Sequence, residues 1–146
     1  MNMIKKLTLF AKLLCNILLI MSCTKKVELY SKENLLNLTP KEGNDRMETV
    51  LGQSATDIIP CSDYGDGCVS VHRFRTRKLE YIAVEYATIE SAQSYAPKIR
   101  AWTARNWLFD DVFNEPSLET WLCQYVECLP PRGSSRKAGD AKEIYP

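Results

Sequence analysis

Histidine is almost absent from this sequence: His72 is the only one in 146 residues. A Ser-His-Asp or Cys-His nucleophilic arrangement therefore has to be built on that one side chain. No G-x-S-x-G segment occurs either, so no nucleophile elbow is encoded. A strand histidine without an evident partner reads as a structural or surface residue. Charge excess is also missing, with 19 basic against 18 acidic side chains. Phosphate binding needs a clustered surplus of Lys and Arg, which excludes nucleic acid as a partner class. The third absence is a long apolar run. A spanning helix needs roughly 20 continuous apolar residues, and Lys12 splits the stretch from Leu7 to Met21.

What stands at the N-terminus instead is a three-part export signal. Lys5, Lys6 and Lys12 supply a positive start, Leu13 to Met21 is apolar apart from Cys15 and Asn16, and Ser22 is a small residue at the cleavage point. The four residues Ile20-Met21-Ser22-Cys23 resemble the lipobox of bacterial lipoproteins. That resemblance covers residues 1–23 and implies that Cys23 is the lipid-modified residue and the first of the mature chain. It implies a thioether-linked diacylglycerol, an acylated amino group, and attachment to the cell envelope. Two or three acyl chains make such attachment stable, at about 0.8 kcal/mol per buried methylene. Thr24 stands where an aspartate signals inner-membrane retention, which points to the outer membrane, with the domain facing periplasm or exterior. Removing residues 1–22 takes three lysines from the 19 basic side chains, leaving 16 against 18 acidic ones. The remaining residues suffice for one compact domain.

Of the six cysteines, Cys15 leaves with the signal and Cys23 carries lipid. Cys61, Cys68, Cys123 and Cys128 then face an oxidising space, where disulfides are the default. Four cysteines allow three pairings. The stretch Cys61-Ser-Asp-Tyr-Gly-Asp-Gly-Cys68 turns back on itself easily, which favours Cys61 with Cys68 and Cys123 with Cys128. Crossed pairing would instead staple the last helix to the sheet. A four-thiolate zinc site is the rival, but neither pair has the two-residue spacing such sites use.

Along the mature chain, residues 23–57 are polar and charged and read as a tether with short helices, at Leu35–Leu38 and at Arg46–Gln53. The domain is expected over residues 58–130, and residues 131–146 read as a flexible tail rich in Gly, Ser and Lys. Val69–Thr76 and Leu79–Tyr86 alternate as strands, joined tightly at Arg77-Lys78 into a hairpin. Thr88 caps a helix with Ile89, Ala92, Ala96 and Ile99 at helical spacing, and Pro97 should kink or shorten it. A third strand is expected over Asn106–Phe113. Asn114-Glu-Pro-Ser starts a second helix, whose Leu118, Trp121, Leu122, Tyr125 and Leu129 share a face until Pro130-Pro131 stop it. The order strand, strand, helix, strand, helix predicts an α+β two-layer sandwich, with two helices on a mainly antiparallel three-stranded sheet. The pattern resembles a ferredoxin-like arrangement. The passage Tyr81 to Trp102 is similar in pattern to domains that bind peptidoglycan glycan strands.

Three groups of side chains are candidate sites. Arg73, Arg75 and Arg77 alternate on one strand, with Lys78 beside them, and form the one compact basic patch. Tyr81, Trp102, Arg105 and Trp107 add aromatic and basic groups, and Arg, Trp and Tyr are enriched at interfaces. The second group, Asp110, Asp111 and Glu115, is the densest acidic cluster and a weak calcium candidate, since hard cations take six or more oxygen ligands. Asp63 and Asp66 lack the ordered series of an EF-hand loop. No cofactor is implied. The expected function is thus a lipid-anchored, non-catalytic envelope protein binding an envelope protein or peptidoglycan, with glycan-strand binding the alternative. An enzyme using His72 is third.

Overall fold

The computed structural model describes residues 27–51 and 59–131; the expected lipobox with Cys23, and the expected tail beyond residue 131, lie outside them. The elements are α1 (Lys32–Asn37), β1 (Glu48–Thr49), a 3-10 turn (Cys61–Tyr64), β2 (Cys68–Thr76), β3 (Leu79–Tyr86), α2 (Ile89–Ile99), β4 (Trp102–Ala104), β5 (Trp107–Asp110) and α3 (Pro116–Tyr125). The strands form one five-stranded sheet in the order β1-β2-β3-β5-β4, and every neighbouring pair is antiparallel. The α+β class expected from the sequence holds, with five strands in place of three and, among the described residues, three α-helices in place of two.

The sheet is covered on both faces, so the two-layer sandwich is corrected. Alternation along β2, β3 and β5 sends Phe74, Tyr81, Ala83, Trp107 and Phe109 to one face, where Leu118, Trp121 and Leu122 of α3 and Leu35 of α1 pack on them. Val84, Tyr86 and Leu108 point the other way, onto Ala92 and Ala96 of α2. The ferredoxin-like expectation is half met in topology. Strands β3 and β4 run in the same direction, joined through α2, with β5 antiparallel between them. That is one split βαβ unit, where a ferredoxin-like fold needs two.

Strand β4 escaped detection because three residues are too few to show a period, and the expected third strand shrinks to Trp107–Asp110. Asp111, with φ of 62°, turns the chain out of β5. The outer edge of β4 is closed by a bridge: Thr103 N–H donates to the Leu129 carbonyl at 3.0 Å, and Leu129 N–H donates back at 2.6 Å. Helix α2 is capped by Thr88 and contains Pro97 in its last turn. An interior proline breaks an i−4 bond; here the helix runs only two residues further and closes on Arg100 in the left-handed region. Helix α3 ends at Tyr125, so Leu129 lies beyond it.

The expected tether is part of the domain. Leu35 and Met47 are core residues, and Glu48 and Thr49 pair with Arg75 and Phe74 as β1, where a helix was expected. The physical reason is that Leu35 and Met47 join Leu118, Trp121 and Leu122 in the apolar cluster that contains Phe74 and Tyr81.

Candidate docking surface

Both favoured disulfides form, Cys61–Cys68 and Cys123–Cys128. The first closes the 3-10 turn onto the start of β2, through Gly65 and Gly67. Gly67 has φ of +85°, and a Cβ there would sit 2.8 Å from Ser91 Oγ, so side-chain-free backbone is required.

The expected basic patch is divided by the fold. Arg73 and Arg75 are exposed on the α2 face of the sheet. Arg75 is paired with Glu80 on the neighbouring strand, Nη2 to Oε1 at 2.6 Å. Arg77 is turned away from them, because Arg77 and Lys78 form the β2–β3 turn with φ of 52° and 67°. Such a two-residue turn prefers Asn-Gly. Tyr81, Trp102 and Trp107 are core residues at 2%, 3% and 0% exposure, which corrects their assignment to a surface. Each lies on an inward position of its strand. The Trp102 indole N–H has no hydrogen-bond partner among the described residues.

At the turn, a rigid charged rim is built from three segments. Arg77 Nε donates to Asp45 Oδ1 at 2.5 Å, and Tyr125 Oη–H donates to Asp45 Oδ2 at 3.1 Å. Trp121 Nε1–H reaches the Asp45 carbonyl at 2.9 Å, and Arg77 N–H reaches the Asn44 carbonyl at 2.9 Å. The guanidinium beside Asp45 holds its carboxyl below the usual carboxylate range. Pro40, Glu42, Gly43, Asn44, Asp45, Arg77 and Lys78 line an open groove of ≈ 620 Å³ here. The loop 40–45 was the part of the site that the sequence did not reveal; Asp45 among polar residues carried no periodic signal.

Arg105 lies at the opposite end of the sheet, in the β4–β5 turn. It pairs with Glu127, Nη2 to Oε2 at 3.0 Å, and its guanidinium carbon stands 4.5 Å over the Tyr30 ring. It also donates from Nη1 to the Glu28 carbonyl at 2.8 Å.

The acidic cluster does not converge. Asp110 accepts the Tyr64 hydroxyl at Oδ2, 3.1 Å, and the Asp111 backbone N–H at Oδ1, 2.9 Å. Burial, then the Asp110 charge, raises the Asp111 carboxyl. Glu115 is the residue before α3 and caps nothing with its side chain. Among the described residues no group of three or more His, Cys, Asp or Glu side chains is placed to hold a metal ion.

His72 has a partner the sequence concealed. Its Nε2 lies 3.0 Å from Ser70 Oγ, and Ser70 Oγ donates to Glu85 Oε2 at 2.9 Å. A serine hydroxyl has one proton. With that proton on Glu85, His72 Nε2 must be the donor to Oγ. The order is His–Ser–carboxylate, whereas a triad needs the carboxylate behind the histidine. Burial, then Lys32, lowers the imidazole below its ordinary range against a weaker pull from Glu85 and Glu33.

No family model, curated protein or solved structure matches this chain.

Proposed function

We propose that this chain is a lipid-anchored cell-envelope protein whose disulfide-stapled domain binds another envelope component, non-catalytically, through the groove at the Arg77-Lys78 turn. The observation that carries the binding role is the pairing of Asp45 with Arg77. It fixes a charged rim in place before any partner arrives, so little ordering entropy is left to lose on binding. Lys78 is exposed at the tip, and Glu42 and Asn44 supply acceptors and donors on the facing wall. The anchor reading rests on Ile20-Met21-Ser22-Cys23, and the two disulfides agree with an oxidising compartment.

The proton order at Ser70 supports a non-catalytic role, because a serine that donates to Glu85 offers His72 no proton to abstract. Peptidoglycan strands and an envelope protein are the two partner classes that suit a polar, open groove. Mass spectrometry of the mature protein tests the anchor: an acylated Cys23 together with two internal disulfides is expected, and an unmodified chain starting at residue 1 would overturn it. Co-sedimentation with purified sacculi then separates the partners. Enrichment over a denatured control that Lys78→Glu abolishes identifies glycan; no enrichment leaves the envelope protein, to be sought by cross-linking at Lys41, exposed in the loop 40–45. Sacculus or cross-linked complexes that survive Lys78→Glu unchanged would remove the groove as the docking site.

A further inference from the structure

The chain between the lipidation position and the folded domain is short, and its first folded residues are clamped. Glu28, five residues after Cys23, gives its carbonyl to Arg105. Tyr30 is held by a reciprocal pair with Asn106: Tyr30 N–H donates to Asn106 Oδ1 at 2.8 Å, and Asn106 Nδ2–H donates to the Tyr30 carbonyl at 3.2 Å. Trp107 Nε1–H donates to the same carbonyl at 2.8 Å. Asn106 is 2% exposed and spends its second amide proton on the Tyr86 carbonyl at 3.2 Å. Every one of these bonds ties the segment to the β4–β5 turn.

Extended chain spans at most about 3.6 Å per residue, so five residue steps place the Cys23 Cα within ~18 Å of Glu28. Strand β3 alone, from Leu79 to Tyr86, measures about 23 Å at ~3.3 Å per step. The turn Arg77-Lys78 lies before the start of β3 and Asn106 beside its end. A lipid on Cys23 therefore reaches the β4–β5 end of the sheet and falls short of the other end. At the reachable end, Val27 and Leu29 flank the clamp at 57% and 44% exposure. Apolar side chains beside an acyl anchor bury at the headgroup boundary and add to its hold.

We infer that the β4–β5 end of the domain, with Val27 and Leu29, is seated on the lipid surface that holds Cys23, and that the Arg77-Lys78 groove faces away from it. This rests on the lipid-anchor reading of Cys23. It replaces a tether that lifts the domain with a clamp that orients it.

The test places a fluorescent amino acid at Ala87 or at Lys78, exposed positions at the two ends of β3. The full chain, expressed with its anchor, is reconstituted in phosphatidylethanolamine/phosphatidylglycerol vesicles containing a lipid with a nitroxide on its headgroup. Emission at Ala87 should be largely lost and emission at Lys78 retained. Equal quenching at both ends, or stronger quenching at Lys78, with Cys23 acylated in the mass spectrum, overturns the seating and leaves the anchor standing. A Cys23 without acyl groups in the same sample overturns the anchor reading and the seating with it.

Discussion

The indole N–H of Trp107 donates to the backbone carbonyl of Tyr30 at 2.8 Å, across 77 positions of sequence. That carbonyl also accepts from Asn106, so neighbouring residues of one turn satisfy a single acceptor on the entering chain. Asn106→Ala would strip partners from the Tyr30 N–H and the Tyr86 carbonyl together. Buried groups left unsatisfied cost about 1–3 kcal/mol each. We expect Asn106→Ala to lower the urea midpoint at an unchanged slope, and proteolysis to begin cutting near Tyr30.

His72 sets an acid limit. Its folded-state pKa is lowered below the ordinary 6.5, chiefly by burial. The unfolded chain therefore takes up the proton first as pH falls. The stabilising contribution is complete above the ordinary value and is lost as pH drops through the depressed one. Stability measured across this range should decline toward acid, and His72→Gln should flatten that part of the curve. A ring titration midpoint at or above 6.5 would contradict the assignment.

Lys78 holds φ of 67° without a side-chain bond among the described residues to repay it, while Arg77, at 52°, is paired to Asp45. Left-handed backbone costs a side-chain-bearing residue about 1–2 kcal/mol, offset in part by the freedom glycine gives the unfolded chain. Lys78→Gly should raise the melting temperature, by about 0.5–1 kcal/mol in stability after that offset. Arg77→Gly should lower it, because the Asp45 carboxylate loses its cation.

Cys61 and Cys68 close a loop with a sequence separation of 7. Chain-entropy reasoning assigns such a loop about 2–3 kcal/mol. Replacing both cysteines by serine should reduce stability by that order in thermal melts. It should also loosen Tyr64, which donates to Asp110, detectable as faster hydrogen exchange in residues 61–68.

Strong local patterns were legible in the sequence, and tertiary roles were not. The alternation from Leu79 to Tyr86 and the Thr88 cap located β3 and α2, because period and capping chemistry are properties of a few adjacent residues. The same alternation placed Arg73 and Arg75 on one outward face. It misplaced Arg77, whose positive φ breaks the period. Tyr81, Trp102 and Trp107 looked like interface aromatics because composition does not reveal that helices cover both faces of the sheet. Met47 stands alone in a polar stretch and Leu35 in a short leucine patch, and only the completed sheet gives them something to cover. The Ser70–His72–Glu85 relay joins neighbouring strands, so the spacing along one strand concealed it.

The bridge from Thr103 to Leu129 ends in Pro130 and Pro131, which bring no backbone N–H to the margin of β4. At the other margin, β1 is only two residues long. The β4 margin thus gives a second copy no donors beyond Leu129 to extend. On the lipid-anchor reading proposed above, which holds neighbours at one surface where they collide often, that termination works against edge-to-edge pairing at the β4 margin.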